Sequence, residues 1–200
     1  MNTFYTRNVL KHGIFDLIDK NDVFEKDNMY FTQMRESINT FIKNTMSLHS
    51  NKKILEIGPS TNKERRLCSE LNEIETVDIV HGNDTTYVAD LTKQNELPKE
   101  HFDVIYCLEV LEHTYEPWEM IKQLYELLKR DGVLYVSVPF QFRVHGPLPD
   151  CYRISEYGLK YLFEKYNFEI LQFDALIDSS RPAFPLHYTL ECKKKNKNNF

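Results

Sequence analysis

From Lys53 onward the sequence alternates two hydrophobic periods, and that alternation restricts the fold more than any other feature. Short apolar runs stand at Ile54-Leu55-Glu56-Ile57, Thr76-Val77-Asp78-Ile79, Thr86-Tyr87-Val88-Ala89 and Phe102-Asp103-Val104-Ile105-Tyr106-Cys107. They have the length and composition of strands. A polar helical stretch from about Asn62 to Leu71 separates the first two. A stronger one runs from Pro117 to Lys129, with proline in its first turn, Ile121, Leu124 and Leu128 on one face, and Lys129, Arg130 and Gly132 at its end. It leads into Val133-Leu134-Tyr135-Val136-Ser137-Val138, a run apolar enough to be buried on both faces. A further helix follows Ser155, an N-cap with Glu156 in the first turn and Leu159, Leu162, Phe163 and Tyr166 on one stripe. Strands near Phe168–Phe173 and His187–Cys192 close the chain. Strands alternating with helices imply an α/β fold built on a parallel sheet.

Upstream, Tyr30 to Leu48 places Met34, Ile38, Phe41, Ile42 and Met46 at helical spacing, behind a less regular helical segment from Val9 to Ile18. Residues 1–50 therefore read as a helical flap on the same domain as residues 51–193, with 194–200 as a basic tail. A chain of 200 residues, 42% hydrophobic, can bury one such core.

The formal net charge of −5 argues against a nucleic-acid partner, which needs a surplus of Lys and Arg. The one basic run, Lys193-Lys194-Lys195-Asn196-Lys197, reads as a solvated, frayed end. With neither a membrane-length apolar run nor a signal peptide, the protein is expected to be cytoplasmic, with no membrane span. Cys68, Cys107, Cys151 and Cys192 form no CxxC pair and read as reduced thiols, so no metal is expected.

In an open parallel sheet, ligands bind beyond the carboxyl ends of the strands. Glu56 ends the first strand just before Gly58, and Asp78 ends the second, where an acid can accept both hydroxyls of a ribose. Asp90 ends the third, in Ala89-Asp90-Leu91, and Glu109 follows the fourth.

With these segments in this order, the chain resembles the class I S-adenosylmethionine-dependent methyltransferases, in particular the small-molecule group related to ubiquinone-biosynthesis and sugar-modifying enzymes. The resemblance covers Lys53 to Phe173 and rests on Ile54-Leu55-Glu56-Ile57-Gly58, Val77-Asp78, Ala89-Asp90-Leu91, and Phe102-Asp103-Val104-Ile105 running into Glu109-Val110-Leu111-Glu112-His113. A fifth segment, Val138-Pro139-Phe140 with His145-Gly146-Pro147 and Asp150-Cys151-Tyr152-Arg153, resembles the family's loop after its fifth strand.

The resemblance implies a Rossmann-like three-layer fold: a mostly parallel seven-stranded sheet with a late antiparallel strand, plus N-terminal helices. It implies S-adenosyl-L-methionine as cofactor and a small-molecule substrate. Glu56, Gly58 and Ser60 would meet the methionine end, Asp78 the ribose, and Asp90 the adenine amino group, with Ile79 and Leu91 on the ring faces and Glu109 nearby. His113 and His145 are the candidate bases for a hydroxyl acceptor.

Two departures stand out. Ser60 and Asn62 replace the family's later glycines, and the connection Val80-His81-Gly82-Asn83-Asp84-Thr85 is too short for a helix and reads as a turn. The expected activity is methyl transfer to an oxygen, with nitrogen second, of a small polar metabolite such as a sugar or lipid-linked sugar. The alternative is a non-catalytic relative that keeps the fold as a binding or scaffold module.

Overall fold

Alternate residues of the central strands point to opposite faces, and the two apolar sets so produced meet different helices. The computed structural model describes residues 25–59, 67–82, 84–146 and 149–196. Its elements are α1 (Glu25–Met46), β1 (Lys53–Ile57), β2 (Glu73–Asp78), β3 (Tyr87–Val88), β4 (Phe102–Leu108), a 3-10 turn (Leu111–His113), α2 (Pro117–Leu127), β5 (Leu128–Pro139), α3 (Glu156–Lys165), β6 (Phe168–Ile177) and β7 (Pro185–Lys194). On one face Ile54, Val104, Tyr106 and Tyr135 pack against Phe41, Ile42 and Met46 of α1. On the other, Leu55, Ile105, Cys107, Leu134 and Val136 meet Ile121 and Leu124 of α2 and Leu159 and Phe163 of α3. Three layers result, as the sequence led one to expect.

The sheet has seven strands in the order β3-β2-β1-β4-β5-β7-β6. β1 pairs parallel with β2 and β4, β4 with β5, and β7 runs antiparallel to β5 and β6. Connections diverge on either side of the β1/β4 pair, which makes its carboxyl end the place where a crevice opens.

The helix α1 packs on the sheet through polar contacts as well as its apolar face. Tyr106 donates its hydroxyl to Thr45 Oγ1 at 3.0 Å, His187 Nε2 lies 3.0 Å from Ser37 Oγ, and the Tyr30 hydroxyl donates to Asp178 Oδ2 at 2.7 Å. Tyr30 and Met34 also cover Leu186 of β7. Together these contacts fix α1 along the sheet. The Val9–Ile18 segment lies outside the described residues.

Several boundaries differ from expectation. The stretch Asn62–Leu71 is outside the described residues up to 66, and residues 67–71 are not helical. The helix from Pro117 stops at Leu127, because Leu128 turns to φ −69, ψ 138 and pairs with Phe102. The register then shifts before Val133 pairs with Val104, so Asp131 at φ 60 and Gly132 form a bulge inside β5 rather than a helix end. A Cβ on Gly132 would sit 2.9 Å from the Lys129 carbonyl.

The basic tail is also shorter than expected. Lys193 and Lys194 belong to β7, and Lys194 is buried with its ammonium donating to the Leu128 carbonyl at 2.6 Å. An interior position is possible for that cation because the carbonyl, the Glu100 carboxylate at 3.5 Å and the Tyr125 ring at 4.6 Å answer its charge. No described helix is long and apolar enough to cross a membrane. All four cysteines are free, with Cys107 and Cys192 buried in strands.

Candidate active site

At the carboxyl ends of β1 and β4 lies a cavity of about 190 Å³, lined by Glu56 and Gly58 from β1 and its turn, Glu109 and His113 after β4, His145 from the loop after β5, and Arg35 from α1. Chain geometry brings these distant segments to one point. Ile57 pairs with Cys107, so the residues that follow the two strands leave the sheet side by side.

Gly58 adopts φ +59, a left-handed conformation that glycine takes without a Cβ penalty, and its amide donates to the Val77 carbonyl at 2.8 Å. A Cβ there would approach Val110 Cγ2 to 3.2 Å. The glycine therefore leaves bare backbone at the cavity. Glu109 also sits at positive φ, +54, unusual for a side chain of its size, and its amide is tied to the Ser137 carbonyl at 2.9 Å. That turn aims its carboxylate at the cavity and at His187, whose Nδ1 is 3.7 Å from Glu109 Oε1.

The post-β5 loop is a knit polar unit. Arg153 clamps both oxygens of Asp150, at 2.5 and 2.7 Å, and donates to the carbonyls of Phe142, Arg143 and Tyr152. Asp150 accepts from the His145 amide at 2.9 Å and lies 3.1 Å from His145 Nδ1. Burial alone would raise the Asp150 pKa, yet Arg153 and that amide hold it below the usual carboxylate range. Burial pushes the His145 imidazole below its ordinary value, against the pull of Asp150.

The loop is stitched to the 3-10 turn by the Cys151 amide, which donates to the Glu112 carbonyl at 2.7 Å. His113 and His145 consequently stand with ring centroids 5.0 Å apart. Glu112 is only 1% exposed, and burial, reinforced by the charge of Glu109, raises its pKa well above the carboxylate range.

Of the residues marked in the sequence, the cavity gathers Glu56, Gly58, Glu109, His113 and His145. Ser60 lies outside the described residues, as does Asn62. Asp78 is at the end of β2, one residue past the Val77 that receives Gly58, and Ile79 beyond it is 71% exposed. Asp90 has a local turn role: its Oδ1 accepts from the Thr92 amide and hydroxyl, and its Oδ2 pairs with Lys93 at 2.9 Å. These contacts fix the orientation of the Asp90 carboxylate, which with two lone pairs on each oxygen keeps acceptor capacity. Leu91 is buried in the main core cluster.

Sequence reasoning missed Arg35 and Asn39 on α1, which line the same cavity, and the buried His187 of β7. Their signal was weak. The first two flank the apolar stripe of a helix whose placement over the strand ends is purely tertiary.

Residues 30–173 match a family model described as a methyltransferase domain. The chain belongs to the class I S-adenosylmethionine-dependent methyltransferase family. Solved structures share the fold. A methyltransferase from Archaeoglobus fulgidus superposes with a TM-score of 0.62 at 18% identity, covering 80% of this chain and 94% of that one. The Burkholderia thailandensis 1,6-didemethyltoxoflavin-N1-methyltransferase, solved with S-adenosylhomocysteine, gives 0.55 at 15% identity over 90% and 94%. Among curated proteins, the ubiquinone biosynthesis O-methyltransferase of Haemophilus ducreyi is 33% identical over 99 residues, which is 48% of this chain and 38% of the relative. That of Histophilus somni is 49% identical over 47 residues, or 24% and 20%. This methyltransferase domain thus matches well under half the length of these two relatives.

Proposed function

We propose that this domain transfers a methyl group from S-adenosylmethionine to a hydroxyl oxygen, with nitrogen second, of a small polar metabolite, a sugar or lipid-linked sugar among the candidates. The observation that carries the reading is the cavity in which the bare backbone of Gly58 and the carboxylate of Glu56 share a wall with two imidazoles.

The residues present fit the cofactor. The absent Cβ of Gly58 leaves room for close backbone approach, and Glu56 lies beside it to answer a positive charge. Asp78 would hold the ribose, while exposed Ile79 and Val80 offer apolar surface to adenine. Asp90 would accept from the adenine amino group, with Leu91 packed against the ring. When bound, the cofactor supplies a methyl group already activated on a sulfonium.

The chain's own task is placement of the acceptor, since effective molarity can supply much of the barrier reduction. Phe31 and Phe142, stacked at 6.1 Å, close the side of the cavity under α1 and would exclude water from the acceptor. His113 and His145, which line the same cavity, would take the acceptor's proton. The name of the curated relatives, O-methyltransferases, supports oxygen as the acceptor atom.

Calorimetric titration with S-adenosylmethionine and S-adenosylhomocysteine tests the reading. Saturable binding of both is expected, and no heat at millimolar ligand would leave the domain as a non-catalytic scaffold.

A further inference from the structure

His187 of β7 is only 1% exposed, and its ring joins two elements that lie far apart in the chain. Nε2 lies 3.0 Å from Ser37 Oγ on α1, and Nδ1 lies 3.7 Å from Glu109 Oε1 at the cavity. Both Nδ1 and Glu109 Oε1 are buried without a hydrogen-bond partner, so two orphaned atoms face each other. Native folds leave few buried polar atoms unpaired, and here one small movement pairs both. Closing the gap to an ordinary N–H···O distance takes roughly 0.5–1 Å.

The tautomer of His187 follows from α1. Thr32 and Thr40 on that helix donate their hydroxyls to carbonyls four residues back, those of Asn28 and Glu36. Among the described residues, the Ser37 hydroxyl makes no such bond, and its one contact is His187 Nε2. The hydroxyl therefore donates to Nε2, which leaves the ring proton on Nδ1, facing Glu109. The backbone keeps the two side chains in place: the Glu109 amide is tied to the Ser137 carbonyl, and His187 pairs with Pro139 two residues further along β5. Burial and the charge of Glu109 raise the neighbouring Glu112 well above the carboxylate range, so Glu112 takes the proton and the negative charge of this corner sits on Glu109.

We propose that His187 is a positioning residue, donating from Nδ1 to Glu109 and so holding that carboxylate toward the sulfonium of bound S-adenosylmethionine. The proposal rests on the methyl-transfer reading, in which Glu56 answers the cofactor's ammonium. The cofactor has a second cationic centre at sulfur, and the cavity has a second carboxylate in Glu109. Because Ile57 pairs with Cys107, Gly58 and Glu109 leave adjacent strand ends. A cavity of about 190 Å³ leaves little room between Glu109 and a cofactor seated on Gly58.

Positive charge leaves the sulfur as the methyl group departs, so this contact favours the loaded cofactor over the spent one without speeding transfer. Its use is exchange: S-adenosylhomocysteine, neutral at sulfur, gives way to S-adenosylmethionine. A His187 that only fastened α1 through Ser37 would leave Nδ1 and Glu109 Oε1 unexplained.

Two amides separate these roles, because an asparagine nitrogen takes the position of Nδ1 and a glutamine amide reaches that of Nε2. Calorimetry gives the affinities for S-adenosylmethionine and S-adenosylhomocysteine, and their ratio is the readout. Glu109→Gln should lower the ratio about tenfold, and His187→Gln about three- to tenfold. His187→Asn should keep it. An unchanged ratio in His187→Gln, or a ratio lost in His187→Asn and kept in His187→Gln, overturns the proposal. Thermal melts confirm that each variant is folded. Nuclear magnetic resonance of wild-type protein carrying isotope-labelled histidine requires no variant: His187 should show a protonated Nδ1 and a bare Nε2, and the reverse tautomer also overturns it. No heat with either ligand removes the methyl-transfer reading itself, whereas binding of both with an unchanged ratio in the variants removes this proposal alone.

Discussion

Asp150 Oδ2 lies 3.1 Å from His145 Nδ1 while the same carboxylate holds the Arg153 guanidinium through both oxygens. One buried acid therefore orients a cavity histidine and anchors the loop that carries it. Asp150→Asn removes the charge that Arg153 answers, and should cost about 1–3 kcal/mol, read by chemical denaturation. Turnover should fall more than KM rises, because His145 loses its orientation. A variant with wild-type turnover would show that His145 needs no fixed ring position.

Gly58 at φ +59 leads to a second expectation. Gly58→Ala forces a side chain into a left-handed conformation, at about 1–2 kcal/mol, and brings its Cβ to 3.2 Å from Val110 Cγ2. Cofactor affinity measured by calorimetry should drop with it. Adding Val110→Ala should restore only part of the loss, because the backbone strain remains. Full restoration would assign the effect to the side-chain clash.

The docking of α1 can be tested at Ser37, whose hydroxyl is 3.0 Å from His187 Nε2. His187 is buried, and its Nδ1 has no hydrogen-bond partner. Ser37→Ala should therefore cost about 1–3 kcal/mol through an unsatisfied buried nitrogen and reduce amide-exchange protection along α1. Unchanged protection would mean that the helix is held by its apolar face alone.

Stability should decline at both ends of the pH scale for identifiable reasons. Burial would raise the Asp103 pKa, but the Lys53 amide and the Lys129 ammonium, each at 2.9 Å from its Oδ2, hold it below the ordinary value. A depressed folded-state pKa gives stability that is present above the unfolded value, about 3.9, and lost as pH falls through the folded one. The melting-temperature gap between wild type and Asp103→Asn should hence be constant above about pH 4 and close below it. At the alkaline end, burial raises Tyr106 to about 12. Stability from Tyr106 is whole below the unfolded value of about 10 and falls as pH rises from there to about 12. Tyr106→Phe should be less sensitive across that window.

Much of this arrangement was readable before any coordinates. The apolar runs of β1, β4 and β5 and the cap at Ser155 followed from period and composition, because backbone geometry ties strand and helix to those patterns. The end of α2 was misjudged. Lys129, Arg130 and Gly132 spell a helix terminus locally, but pairing of Leu128 with Phe102 and the bulge at Asp131 and Gly132 took those residues into β5. Lys194 was misjudged for a related reason: a lysine run reads as solvent-exposed until a strand ladder carries one member over the Leu128 carbonyl.

At the site, Gly58, Asp78 and the Glu109-to-His113 segment could be marked from the sequence, since strand ends in a parallel sheet are where ligands bind. What the sequence did not show is how Asp90 is held: Thr92 and Lys93, two and three residues on, contact its oxygens in a local turn.

By itself, the sequence determined the alternating architecture, the glycine turn after β1 and the acids at the strand ends, because each depends on periodicity or on residues adjacent in the chain. Only the tertiary structure decided that α1 roofs the cavity with Arg35 and Asn39, that Glu112 is sealed from water, and that His145 meets His113 across 32 residues of chain. Those relationships arise from the crossing of separate elements. Their energies come from burial and from partners distant in sequence, which no local pattern records.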